Sequence, residues 1–106
     1  MDLVITRTAF AHEVIDVDAT AGGVSLTGAT YSPTDGTKAA ESALITVHTS
    51  EIRWTLDGTA PVALTTGHFA DVGDSIWLTT GGQIAAFRAI EDTATNGEIA
   101  VTYFYR

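Results

Sequence analysis

A chain of 106 residues with 45% hydrophobic and 17% charged side chains reads as one globular domain with one core, because a chain this short buries only about two thirds of its unfolded surface. Thirteen acidic against five basic residues leave a net charge of -8, which repels phosphate backbones and anionic lipid headgroups and so argues against nucleic acid or a membrane as partner. The absence of cysteine excludes a disulfide framework, a thiolate nucleophile and sulfur-ligated metal, and no apolar run approaches the roughly 20 residues of a membrane span.

Residues 1–12 read as an N-terminal arm or an edge strand, and residues 13–106 as the folded domain. The start Met1-Asp2, with only Leu3-Val4-Ile5 before Arg7, lacks the pattern of a secretory leader. Glu13–Val17 and Val24–Thr27 look like strands around Gly22-Gly23, with Asp16 and Asp18 alternating so that both carboxylates face solvent. Tyr31–Lys38 is a polar loop containing Pro33 and Asp35-Gly36. Lys38–Leu44 has enough good helix formers for a turn or two of helix as a competing reading. Ala43–His48 places Ile45 and Val47 on one face, and Thr49-Ser50 is short enough to make it a hairpin partner of the next strand.

That next strand, Glu51–Leu56, has the clearest signal: Ile52, Trp54 and Leu56 alternate with Glu51, Arg53 and Thr55. Asp57-Gly58 stops it in a tight turn, and Pro61 bars regular continuation. Asp74–Thr79 places Ile76 and Leu78 on one side, Gly81-Gly82 turns the chain, and Ile84–Ile90 follows as the second arm of another hairpin. After the Asn96-Gly97 turn signal, Glu98–Tyr105 is apolar on both faces, as a buried strand is. Seven to eight short antiparallel strands at this spacing predict an all-β, Ig-like sandwich.

Reactive constellations are scarce in this pattern. His12, His48 and His68 lie too far apart for the usual metal-ligand spacings, and no Asp-x-Asp-x-Asp-Gly calcium loop is present, although Asp71 and Asp74 gather around Gly73 and Glu91 and Asp92 follow one another. None of Ser25, Ser32, Ser42, Ser50 and Ser75 sits in a nucleophile elbow, and the glycine pairs lack phosphate-loop spacing. The expectation is a protein that is not an enzyme, with no catalytic residues, no cofactor and no metal. His48 is expected on a strand face and His68 in a loop.

The aromatic residues carry the candidate contacts. Trp54 has the phase of a core residue, whereas Trp77 is out of phase with Ile76 and Leu78 and faces a partner, a sugar ring or an overlying loop. The candidate partner-binding residues are Trp77, Tyr103, Tyr105, Phe69 and Arg7.

The segment Glu51-Ile52-Arg53-Trp54-Thr55-Leu56-Asp57-Gly58-Thr59-Ala60-Pro61, with Gly67, Gly73-Asp74-Ser75 and Ala86-Phe87-Arg88-Ala89-Ile90, resembles small structural proteins of tailed bacteriophages. Trp54-Thr55-Leu56-Asp57-Gly58-Thr59-Ala60-Pro61 is also similar to the immunoglobulin-like module at the C-terminal end of chitobiases. The phage resemblance implies a virion component made in the host cytoplasm. In the cement or decoration role it binds the major capsid protein or other virion proteins and assembles as a homo-oligomer, a trimer being one form. A neck, tail or baseplate component fits the same signature. The chitobiase resemblance implies a carbohydrate-binding module in which Trp77, with Tyr103 or Tyr105, stacks on sugars beside Asp71, Asp74 or Asn96.

Overall fold

The computed structural model describes residues 7–33 and 38–105. Its order is β1 (Thr8–Val17), β2 (Val24–Ser25), α1 (Gly28–Tyr31), β3 (Ser42–His48), β4 (Ile52–Thr55), β5 (His68–Ala70), β6 (Ser75–Leu78), α2 (Gly81–Ala86), β7 (Arg88–Glu91) and β8 (Gly97–Tyr105). The strands form two four-stranded sheets, β1-β8-β3-β6 and β2-β7-β4-β5, and every pairing is antiparallel. The described residues therefore form an all-β sandwich of eight strands.

Strand alternation builds the core. The first sheet turns Val17, Ala43, Ile45, Val47, Ile76, Leu78, Ile99, Val101 and Tyr103 inward, and the second sheet answers with Ile52, Ala70 and Ala89. Phe87 and Ile84, just outside the strands, complete it, and each fully buried large side chain contributes about 1.5–3 kcal/mol. β8 lies between β1 and β3, but only one of its faces is buried. Ile99, Val101 and Tyr103 point into the core, whereas Ala100, Thr102 and Phe104 stay partly exposed on the outward face, so the strand expected to be buried on both faces is buried on one.

Both expected hairpins are replaced by crossings between sheets. β3 pairs with β6 and β8, and β4 pairs with β5 and β7, so Thr49-Ser50 is an arch from one sheet to the other. A two-residue hairpin favours Asn-Gly-type primed turns, which Thr49-Ser50 does not supply. β6 and β7 likewise lie in different sheets, and Gly81-Gly82 opens helix α2 where a strand was expected from Ile84. Thr80 caps that helix by accepting from Gln83 N at 3.1 Å, while Gln83 Oε1 accepts from Thr79 N at 2.8 Å. These two bonds resemble a Thr-x-x-Gln capping box in which the glutamine reaches the N–H one residue before the cap, and they outweigh the poor helix propensity of two glycines.

β1 begins at Thr8, so residues 8–12 belong to an edge strand and residues 1–6 lie outside the described residues. Lys38–Glu41 is not helical and Ser42 starts a strand, while Gly28–Tyr31 is a single helical turn. The polar loop expected over Tyr31–Lys38 thus starts one residue late, and its residues 34–37 lie outside the described residues. His68 is in β5, not in a loop. The Asp57 turn forms as expected: Asp57 Oδ1 accepts from Thr59 N at 3.0 Å and Gly58 takes φ +87°.

Gly97 serves close packing instead of turn geometry. A Cβ there would lie 2.8 Å from Ile52 Cγ2 and 3.0 Å from Ser50 O, so only glycine lets β8 begin against the β3–β4 arch.

Candidate functional site

The outward face of the first sheet gathers the side chains that the core does not use. Register places His12, Thr102, Leu44 and Trp77 in one row across all four strands, and Val14, Ala100, Thr46 and Ser75 in the next. Asp16, Glu98 and His48 follow, so the rows run from apolar near Trp77 to charged at the far end. Trp77 is 50% exposed and Val14 56%. The Trp77 ring lies 5.7 Å from that of Phe104, and the Arg7 guanidinium carbon sits 6.0 Å from the Trp77 ring centre. Such a cation over an indole face is attracted to the ring's quadrupole.

At the Arg7 end of this sheet is a pocket of about 260 Å³, lined by Arg7, Glu41, Ser42, Thr80 and Tyr105 among others. Ser42 is 2% exposed and its hydroxyl has no hydrogen-bond partner among the described residues. Tyr105 also packs on Phe10, with ring centres 5.3 Å apart.

The five candidate residues therefore separate. Arg7 is common to two of the contacts: it lies over Trp77, and it lines the same pocket as Tyr105. Phe69, half exposed, lies on the other sheet with the Arg53 guanidinium carbon 5.6 Å from its ring centre. Tyr103 is removed from any contact surface: it is fully buried and its hydroxyl donates to Glu13 Oε2 at 2.6 Å. Burial, then the hydrogen bond to Glu13 and the Glu13 charge, push the Tyr103 phenol far above its ordinary range. Thr27 Oγ1 donates to the other Glu13 oxygen at 2.6 Å, so this carboxylate ties β1, β8 and the start of α1 together.

Arg53 and Asp92 form a second polar centre, which the sequence signals only as acidic neighbours. Arg53 Nε donates to Asp92 Oδ1 at 2.8 Å, and the Leu64 backbone N–H donates to the same oxygen at 2.8 Å. Arg53 also reaches Gly67 O at 3.3 Å. Burial raises the Asp92 carboxyl, but the hydrogen bonds from Arg53 and Leu64 and the Arg53 charge outweigh it, and the net shift is downward. This pair clamps the long connection from β4 to β5 onto the end of β7.

Acidic loops turn their oxygens toward their own backbone. Asp74 Oδ2 accepts from Asp71 N at 2.8 Å, and Asp71 Oδ1 accepts from Val72 N at 2.7 Å. Asp18 lies beyond β1 and accepts from Thr20 N at 2.9 Å, so it does not alternate with Asp16 along one strand face. Among the described residues, no group of three or more His, Asp or Glu comes together as a metal site, and no helix is long and apolar enough to cross a membrane. Trp54 packs on Phe87 at 6.1 Å and on His68 at 4.8 Å between ring centres, but its buried Nε1 has no hydrogen-bond partner among the described residues.

No family model, curated protein or solved structure matches the chain.

Proposed function

We propose that the chain is a non-enzymatic structural protein of a tailed-phage virion, a capsid cement or decoration protein that binds the major capsid protein through the outward face of β1-β8-β3-β6. The observation that carries the adhesive part is the exposed apolar strip of that face. A chain of net charge -8 leaves Trp77 and Val14 about half exposed, beside Leu44, Ala100 and Phe104. Exposed apolar surface with aromatic anchors and an adjacent arginine is the composition of a protein-binding patch. The virion assignment is supported by the phage resemblance of the Glu51–Pro61 segment.

The direct experiment mixes purified protein with expanded capsids and follows co-sedimentation, alongside mass spectrometry of purified particles. Retention on capsids, reduced at least tenfold by Trp77→Asp without a lower melting temperature, is the expected result. No co-sedimentation, together with absence from the particles, overturns the reading. The half-exposed Trp77 ring also suits sugar stacking, and glycan-array binding that disappears in Trp77→Ala would favour a carbohydrate-binding module instead.

A further inference from the structure

The sandwich has four edge strands, β1, β6, β2 and β5, and they differ greatly in length. β6, β2 and β5 have four, two and three residues, whereas β1 has ten. Among the described residues, no backbone hydrogen bond reaches β1 from the side away from β8. An edge of this length is a template for another strand unless proline, charged side chains, a bulge or a covering segment blocks it. The inward-facing charge of β1, Glu13, is taken up within the protein by Tyr103 and Thr27. β1 has one bulge, between Ala9 and Ala11, and from Ala11 to Val17 it runs in unbroken register with neither proline nor lysine.

We propose that two copies of this chain associate by antiparallel pairing of their β1 edges about a two-fold axis at Val14, joining two four-stranded sheets into one of eight strands. Three observations select this register. The regular stretch 11–17 is bounded by the bulge on one side and by the Asp18 turn on the other, and Val14 is its centre. A two-fold axis perpendicular to the sheet must oppose residues of the same face, so only registers that pair odd with odd and even with even are available. Within that set, centring on Val14 sets the exposed Val14 side chains against each other and places each His12 opposite Asp16 of the second copy. Centring on His12 stacks two imidazoles, and centring on Glu13 opposes two carboxylates. Centring on Ile15 leaves each Val14 facing an aspartate.

The imidazole is already set for this contact. His12 Nδ1 is engaged with Thr102 Oγ1 at 3.0 Å, leaving Nε2 to donate to Asp16 across the axis when Nδ1 accepts. Opposed pairs of this kind stabilise antiparallel strands, and the symmetry supplies two of them. The outward faces of both copies then lie on the same side and form one continuous surface. The inference rests on the β1 edge and is independent of the virion reading.

The experiment uses the full chain, which has no cysteine, so that Val14→Cys carries a single thiol. Opposed residues of antiparallel strands have Cα atoms about 4.5–5.5 Å apart, within disulfide reach. Mild oxidation of Val14→Cys is expected to give a covalent dimer of twice 11.1 kDa, while His12→Cys and Asp16→Cys remain largely uncrosslinked. Light scattering across a concentration series is expected to show the wild-type chain dimerising. His12→Asp should weaken dimerisation at least tenfold, and the double exchange His12→Asp with Asp16→His should restore it, at melting temperatures close to wild type. A wild-type monomer at every concentration, a trimer, stronger crosslinking through position 12 than through 14, or a double exchange that fails to restore dimerisation overturns the proposal.

Discussion

Replacing Asp92 by asparagine tests whether the Arg53–Asp92 pair holds the β4–β5 connection in place. The Asp92 side chain is 5% exposed and that of Arg53 is 23% exposed, so the pair is largely shielded from water. Asparagine keeps an oxygen for the Arg53 and Leu64 donors but removes the charge. A hydrogen bond to a charged group contributes about 1.5–3 kcal/mol, of which the amide retains part, so Asp92→Asn is expected to cost about 1–2 kcal/mol. Arg53→Met leaves a buried carboxylate with the Leu64 N–H alone, and removing one partner of a buried pair costs about 3–5 kcal/mol. For a domain of this size, these losses lower the melting temperature by roughly 4–8 °C per kcal/mol.

The pH dependence has a definite sign. The folded carboxyl lies below its ordinary value, so its contribution is complete above the unfolded pKa and is lost as pH falls through the folded one. The stability gap between wild type and Asp92→Asn should therefore be full at pH 7 and close below about pH 4. Urea denaturation at pH 7 and pH 3, followed by tryptophan fluorescence, measures it. Both variants within about 0.5 kcal/mol of wild type at pH 7, or a gap that widens on acidification, would refute the reasoning.

Three further outcomes are expected. Tyr103→Phe removes the phenol that donates to Glu13 and should cost about 1–2 kcal/mol by thermal melting, while the wild-type phenol resists alkaline titration until the protein unfolds. Phe87→Ala empties a fully buried site against Trp54 and should cost about 3–5 kcal/mol by urea denaturation, with a changed tryptophan emission maximum. Gly97→Ala drives a methyl group into Ile52 and Ser50 O and should cost about 1–3 kcal/mol, whereas Gly22→Ala meets no atom and tests only the strain of its positive φ.

The side chains that face inward were legible where alternation was strict. Ile45 with Val47, Ile76 with Leu78, and Ile99 with Val101 are all buried as their spacing predicts, and Trp77 is exposed because it breaks that phase. Tyr103 shows the limit of the same rule: its phase places it in the core, yet an aromatic residue near the end of an apolar strand also reads as a contact residue. Its hydroxyl is satisfied by Glu13, 90 positions away, a partner that local pattern does not reveal. Two signals in the sequence point to the departures from the expected hairpins. The capping-box spacing Thr80-x-x-Gln83 announces α2, and the lack of Asn or Gly at Thr49-Ser50 argues against a hairpin.

Class and the positions of most strands follow from the sequence alone, because side-chain period and turn chemistry act over a few residues; β5 and the helical start of the segment before β7 did not. Which strands become neighbours does not. β1 pairs with β8 and β3 with β6, across long stretches of chain, because the apolar faces of all eight strands must be buried together in two layers. The same packing joins Arg53 to Asp92 and brings Arg7 over Trp77. Burial is a property of the whole assembly of strands, so the groups meeting at its surface and its polar clamps were decided only by the tertiary structure.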